Sequence, residues 1–392
     1  EETLRRIRRG VFLIEGGAEI FTRFPKQKLE FGMKVANFGR DSVTNLLARL
    51  SFVGDIPDGW FGGFQTNWTL AAGHIESVGI SSVFPVTGDW YVQSWLAFTN
   101  QTIETLDYLR HEIREWTPSP GPEFVAARDG GMWLEGKPWK ANGVNYMPSS
   151  GIGLANWQHF EHWLGRGAYD PEIIERDLQR IKAMNLNAVS VFIYRESLET
   201  QHLLDFLRRC EAHDIRVNLS LRPGTPLDFR WNEMRELIEH YRLAENDTVF
   251  AYDLAWEPRH EAQQIQSDYL PLWQAWVQKR YANADDARKA WGVGQDDFKF
   301  EISDLKSVGA PMMKWFTQDG PWRKLIADYR LFLDDMLHEK YAEARRLVRS
   351  IDPHHPVSFR MQHAGDSTFN WDAFVPYDFH GLAGAVDIWE PE

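Results

Sequence analysis

Two glutamates share one local context, Trp256-Glu257-Pro258 in AYDLAWEPRHEA and Trp389-Glu390-Pro391 in AVDIWEPE. A pair of carboxyl groups across one substrate bond can serve as general acid and nucleophile in glycosidic cleavage, provided the fold holds them about 5–5.5 Å apart. Glu257 has the stronger setting. It follows the run Val249-Phe250-Ala251-Tyr252-Asp253-Leu254-Ala255 and precedes a proline, which a central strand does not continue through. A carboxyl group at the end of such a buried strand, shielded by an indole, has its pKa raised by desolvation and can protonate a leaving oxygen near neutral pH. The competing structural role is a salt bridge to Arg222 or Arg259 that braces the frame.

The frame has two grammars. From about Val11 to Trp116 the apolar period is two. Leu29, Phe31, Met33 and Val35 alternate with Glu30, Gly32, Lys34 and Ala36, and Leu46, Ala48, Leu50 and Phe52 repeat the pattern after a turn at 37–41. DWYVQSWLAF adds a third such run. An antiparallel β-sandwich over residues 1–116 is expected, and FGMKVANFGRDSVTNLLARL resembles immunoglobulin-like accessory modules. TPSPGPEF breaks both periods and opens a linker, 117–130.

Beyond it, over 131–392, strand and helix patterns alternate. A hairpin at Glu135-Gly136-Lys137 leads to a strand ending at Asn145 and Tyr146. Asp170-Pro171 provides a helix cap and first turn, and LNAVSVFIY is apolar enough for a strand covered on both faces. IRVNLSLRP, TVFAYDLAWEP, HPVSFRMQ and AVDIW follow, separated by helical segments. Consecutive β-α units predict an α/β fold, a TIM barrel of the (β/α)8 type, of which strands one to six are counted here and strands seven and eight are not. A strand hidden between Phe298 and Trp315 would raise that count by one and move Glu390 closer to a pairing position.

In such a barrel the active site lies at the C-terminal ends of the strands. That rule selects Asn145 and Tyr146, Tyr194, Arg222, Trp256 and Glu257, Arg360 and Gln362, and Trp389 and Glu390 as candidates.

Composition removes other classes. The formal net charge is −13, with 56 acidic against 43 basic residues, which argues against nucleic acid as a partner. The basic run Arg5-Arg6-Ile7-Arg8-Arg9 reads as an amphipathic or loop segment. The single cysteine, Cys210, excludes an internal disulfide, and its helical context reads as a packing thiol. No apolar run is long enough to span a membrane. The histidines at 354, 355 and 363 lack ligand spacing, so neither a metal nor a cofactor is expected. Eighteen tryptophans in an acidic chain suit carbohydrate partners, whose C–H faces stack on indole. A start without methionine fits a removed leader and a longer parent protein equally, with extracellular or cell-surface placement slightly favoured. Oligomeric state is not legible.

The second half resembles the clan A retaining glycoside hydrolases. GKPWKANGVNYMP, DLQRIKAMNLNAVSVFIY and DTVFAYDLAWEP look like their first, second and fourth strands, and WQAWVQKRYANADDARKAWGV is similar to a segment of the family 42 β-galactosidases and related family 5-like proteins. The resemblance implies cleavage of β-linked oligo- or polysaccharides with retention. It assigns the acid/base to Glu257 and the nucleophile to a glutamate ending a seventh strand, downstream of residue 392. Glu390, on the sixth strand, then becomes a subsite or bracing residue. Two positions depart from the pattern: Trp256 stands where asparagine is usual, and Ala188-Val189-Ser190-Val191 lacks an arginine common on the second strand of family 5. A non-catalytic carbohydrate-binding or scaffolding module on the same barrel is the alternative those departures leave open.

Overall fold

The structure, a computed structural model, describes residues 2–54, 60–82, 87–99, 103–151, 162–193, 200–221, 230–256, 263–316, 318–361 and 381–391. The chain divides into two compact units: Glu1–Pro120 with Met147–Asn185 and Arg195–Asp214, and Gly121–Tyr146 with Leu186–Tyr194 and Ile215–Glu392.

The first unit begins with helix α1 (Glu2–Arg9), which contains the basic run. Arg6 of this helix pairs with Asp107 at 2.8 Å. Eight strands follow: β1 (Val11–Ala18), β2 (Thr22–Arg23), β3 (Leu29–Asn37), β4 (Val43–Gly54), β5 (Trp60–Leu70), β6 (His74–Ser82), β7 (Trp90–Thr99) and β8 (Ile103–Glu115). They form a three-stranded sheet, β1-β3-β6, and a five-stranded sheet, β2-β8-β7-β4-β5. Every pairing is antiparallel except β2 with β8.

The period of two does what it promised. Leu29, Phe31, Met33 and Val35 from one sheet and Leu46, Ala48, Leu50 and Phe52 from the other are buried in one shared core. Phe31 and Phe52 meet edge to face at 4.9 Å. The turn at 37–41 closes on the fully buried Asn37, whose Nδ2 donates to the carbonyls of Asp41 and Leu70, both at 2.9 Å.

The second unit opens with a small three-stranded sheet, where the sequence pattern had implied only a hairpin. β9 (Ala126–Arg128) and β11 (Lys137–Trp139) flank β10 (Gly131–Leu134). Glu135 and Gly136 both have positive φ, 52° and 72°, the conformation that a two-residue hairpin turn requires. Then comes β12 (Gly143–Asn145).

Helix α2 (Pro171–Ala183), in the first unit, starts where Asp170-Pro171 predicted. The Asp170 carboxylate accepts from the amides of Glu172 and Ile173 at 3.1 and 3.0 Å, and Ile174, Leu178 and Ile181 form its buried stripe. After β13 (Ala188–Ile193), helix α3 (His202–Ala212) buries Cys210, and burial pushes its thiol pKa well up. Asp205 of α3, fully buried, accepts from Thr22 Oγ1 at 2.7 Å, Tyr169 Oη at 2.6 Å, Arg208 at 3.0 Å and Arg209 Nε at 2.7 Å. These donors compensate what would otherwise be a costly buried charge.

The remaining elements belong to the second unit: β14 (Arg216–Leu221), α4 (Trp231–His240), β15 (Val249–Trp256), α5 (Gln263–Arg280), α6 (Ala284–Trp291), α7 (Arg323–Arg349), β16 (Val357–Met361) and β17 (Ile388–Pro391). Between Phe298 and Trp315 there are two short 3-10 turns, Leu305–Ser307 and Met313–Trp315, and no strand, so the count of barrel-type strands among the described residues stays at six. β12 to β17 form one sheet in strict sequence order, all parallel.

That sheet is strongly curled. β12 and β16 stand four strand spacings apart, roughly 19 Å on a flat sheet. Yet Arg360 of β16 hydrogen-bonds Asn145 of β12 at 3.2 Å. Only an arc brings their side chains together. Val125, Ala188, Phe250 and Ala251 form a buried cluster at its foot, packed by Met132, Leu134 and Trp139 of the small sheet and by Ile388. Among the described residues, no helix is long and apolar enough to cross a membrane.

Candidate active site

The concave face of the arc carries a polar layer where an ordinary barrel interior is filled with branched apolar side chains. Its centre is Arg360, almost fully buried at 4% exposure. The guanidinium reaches four other strands. Nε and Nη2 donate to Glu390 Oε2 of β17 at 3.1 and 2.9 Å, Nη1 donates to Asn145 Oδ1 of β12 at 3.2 Å, and Nη2 also donates to Ser190 Oγ of β13. Asp253 Oδ2 of β15 lies 3.6 Å from Nε. The guanidinium carbon sits 5.3 Å from the centre of the Phe192 ring, a cation–π approach.

Glu390 is held from both sides. Its Oε1 accepts from Asn218 Nδ2 of β14 at 2.7 Å, while Oε2 takes the two guanidinium bonds. A planar guanidinium fork can span several acceptors in this way, and a lysine ammonium cannot.

The foot of β16 is fixed by a second buried set. Asp352 Oδ1 accepts from the amides of His354 and His355 at 2.9 and 3.1 Å, and Oδ2 faces His355 Nδ1 and accepts from Tyr252 Oη, both at 2.7 Å. Burial alone would raise the Asp352 pKa. The hydrogen bonds and charge from His355, with the bond from Tyr252, instead hold it well below the usual carboxylate range. The sequence DPHHP is thus a tied turn ahead of the strand.

Asn145, Ser190, Asn218, Arg360, Trp389 and Glu390 line a cavity of about 430 Å3, together with Phe250 and Ile388. That volume lies in the range of small-molecule sites. Of the candidates named from sequence, Asn145, Arg360, Trp389 and Glu390 come together here. Tyr146 is buried outside this lining, with its amide donating to the Ser190 carbonyl at 2.9 Å. Tyr194, Arg222, Glu257 and Gln362 lie outside the described residues, and for Trp256 only the backbone, as the last residue of β15, is described. Among the described residues no group of three His, Cys, Asp or Glu could hold a metal ion.

Asn218 and Asp253 escaped the strand-end rule because they sit inside strands, not at their ends. A signal existed: Asp253 in VFAYDLAW and Ser190 in AVSVFI are polar letters in otherwise apolar runs, and Asn218 stands between Val217 and Leu219 in RVNLSL.

The model of glycoside hydrolase family 42, described as β-galactosidase, matches residues 230–389. The chain is similar to β-galactosidases. The β-galactosidase BbgII of Bifidobacterium bifidum is 25% identical over 244 residues, covering 59% of this chain and 34% of that protein. The chain therefore spans about one third of the length of that relative. Among solved structures, a β-glucuronidase from Bacteroides uniformis is similar at 16% identity and a TM-score of 0.35, over 98% of this chain and 36% of that one. A β-galactosidase from the psychrophilic Marinomonas ef1 is similar at 13% identity and a TM-score of 0.45, over 64% of this chain and 40% of that one.

Proposed function

We propose that this chain supplies an accessory β-sandwich (1–116), a linker (117–130) and strands one to six of a (β/α)8-barrel (131–392) to a retaining glycoside hydrolase acting on β-linked galactosides or related glycosides. Glu257 is the general acid/base, and the nucleophile is a glutamate at the end of a seventh strand that follows β17 in the polypeptide. The observation that carries this reading is the family match over residues 230–389, which contains β15 and the Glu257 that follows it directly.

Three features of the chain agree with it. The six parallel strands run in sequence order and curl, as barrel strands must. Glu390 has both oxygens engaged by Arg360 and Asn218, which suits a brace or a subsite wall better than a freely attacking carboxylate. The Arg360 guanidinium, bonded to Ser190, places a cation beside the second strand, where the sequence has no arginine of its own.

The test is Glu257→Gln in the full-length natural protein, assayed on aryl β-galactosides with good and poor leaving groups. An acid/base role predicts a large loss of turnover with poor leaving groups and a smaller one with good leaving groups, because only the former need protonation. Equal turnover of wild type and variant on the poor leaving group would sink the assignment.

A further inference from the structure

Asn218 is 4% exposed, lines the cavity, and has only half of its amide satisfied. Glu390 Oε1 can only accept, so the Asn218 atom facing it at 2.7 Å is the Nδ2 donor and the orientation of the amide is fixed. Oδ1 then faces the other way, buried and without a hydrogen-bond partner. A buried acceptor left unmade is costly, and its natural complement is a donor supplied by whatever enters the cavity. Opposite, Asn145 spends its Oδ1 on Arg360, which leaves its Nδ2 for a ligand acceptor.

The cavity also selects by charge. Among the described residues Arg360 is the one cation that lines the cavity, and that guanidinium is already engaged by Glu390, Asn145 and Ser190. The Glu390 carboxylate faces the same space. Among the described residues an acidic sugar would meet a carboxylate with no free cation to offset it, whereas neutral hydroxyls match an acceptor and a donor.

We propose that Asn218 is a specificity-determining residue whose Oδ1 accepts a hydrogen bond from one hydroxyl of a neutral hexose, so that the cavity takes neutral glycosides and not uronides. This rests on the glycoside hydrolase reading for its ligand class and deepens it by naming the residue and the charge of the sugar.

The experiment titrates the full-length protein calorimetrically with methyl β-D-galactopyranoside, its 2-, 3-, 4- and 6-deoxy forms, and methyl β-D-glucuronide. One deoxy form should bind at least about ten-fold more weakly than the parent, the ratio one hydrogen bond carries, and the glucuronide should be weakened at least about as much. In Asn218→Leu the gap between the parent and that deoxy form should vanish, since the lost partner is the same one. The deoxy series on the wild-type chain needs no variant, so a poorly folding Asn218→Leu leaves the proposal falsifiable. Equal binding of all deoxy forms, a deoxy gap that persists in Asn218→Leu, no sugar binding at all, or a glucuronide bound as well as the galactoside would each overturn it. Hydrolysis of aryl β-galactosides by the full-length protein together with any of those results would leave the glycosidase reading standing without Asn218. A deoxy gap that tracks Asn218 in a protein without hydrolytic activity would leave the binding site standing without the enzyme.

Discussion

Arg360 and Asn145 are hydrogen-bonded at 3.2 Å although three strands lie between theirs in the sheet. The bond belongs to a five-strand convergence, and its energetics follow from burial. The guanidinium compensates Glu390 and stands 3.6 Å from Asp253, in a place with almost no solvent. Removing one partner from such a set leaves the others uncompensated, which costs more than the set itself contributes.

Arg360→Leu should therefore destabilise the second unit by about 3–5 kcal/mol, and Arg360→Lys should recover little of it, because one ammonium cannot reach Asn145, Ser190 and Glu390 together. Urea unfolding followed by tryptophan fluorescence checks both. A lysine variant as stable as wild type would show that the fork geometry is not what the site uses.

The convergence also marks how far the sequence could be read. Periods of two and of near-continuous apolar runs located the strands, because each depends only on neighbours along the chain, and Asp170-Pro171 located a helix start for the same reason. The six-strand order was legible from the repeat of β-α units. The meeting of Arg360 with Asn145 was not, since it depends on how tightly the sheet curls, a property summed over every strand pair. The partners Asn218 and Asp253 were missed for another reason: the strand-end rule passes over polar residues in mid-strand, although their place in apolar runs marks them and their burial shows that they need partners.

The turn before β16 predicts an acid limit to stability. The Asp352 pKa lies below its unfolded value, near 3.9, so its contribution is complete above about pH 4 and is lost as the pH falls towards the folded value. Asp352→Asn should cost about 3 kcal/mol at pH 7 and much less near pH 2, because the carboxyl group of the unfolded wild-type chain is protonated there and the charged folded form loses most of its advantage. Denaturation midpoints of both proteins between pH 2 and 7 should converge at the acid end. Parallel curves would refute this.

In the first unit, His111 and His202 give a higher window. Burial pushes both imidazole pKa values down, against hydrogen bonds from His111 to the Ile20 carbonyl at 2.8 Å and from His202 to the Leu164 carbonyl at 2.9 Å. The unfolded chain, with histidine pKa near 6.5, binds protons first, so stability falls as the pH drops below about 6.5. His202→Gln should flatten that slope between pH 7 and 5. A slope unchanged in this variant would assign the effect to other groups.

Glu390 and Glu257 can be separated by what each substitution damages in the full-length protein. Glu390 accepts from Asn218 on one oxygen and from Arg360 on the other. In Glu390→Gln one orientation sets an NH2 against the Asn218 amide donor and the other sets it against the guanidinium. Either way the buried guanidinium loses the charge of its carboxylate acceptor, at about 1–3 kcal/mol. A bracing residue so damaged should lower the unfolding midpoint and raise KM for an activated aryl β-galactoside while retaining measurable kcat. A nucleophile would behave in the opposite way, with kcat abolished on every substrate and stability hardly changed, because no covalent glycosyl-enzyme could form. Trapping with a slow 2-fluoroglycoside adds an independent readout: the adduct should form on a glutamate other than Glu390, and recovery of a labelled Glu390 peptide would overturn the bracing role and give the two Trp-Glu-Pro motifs a shared task.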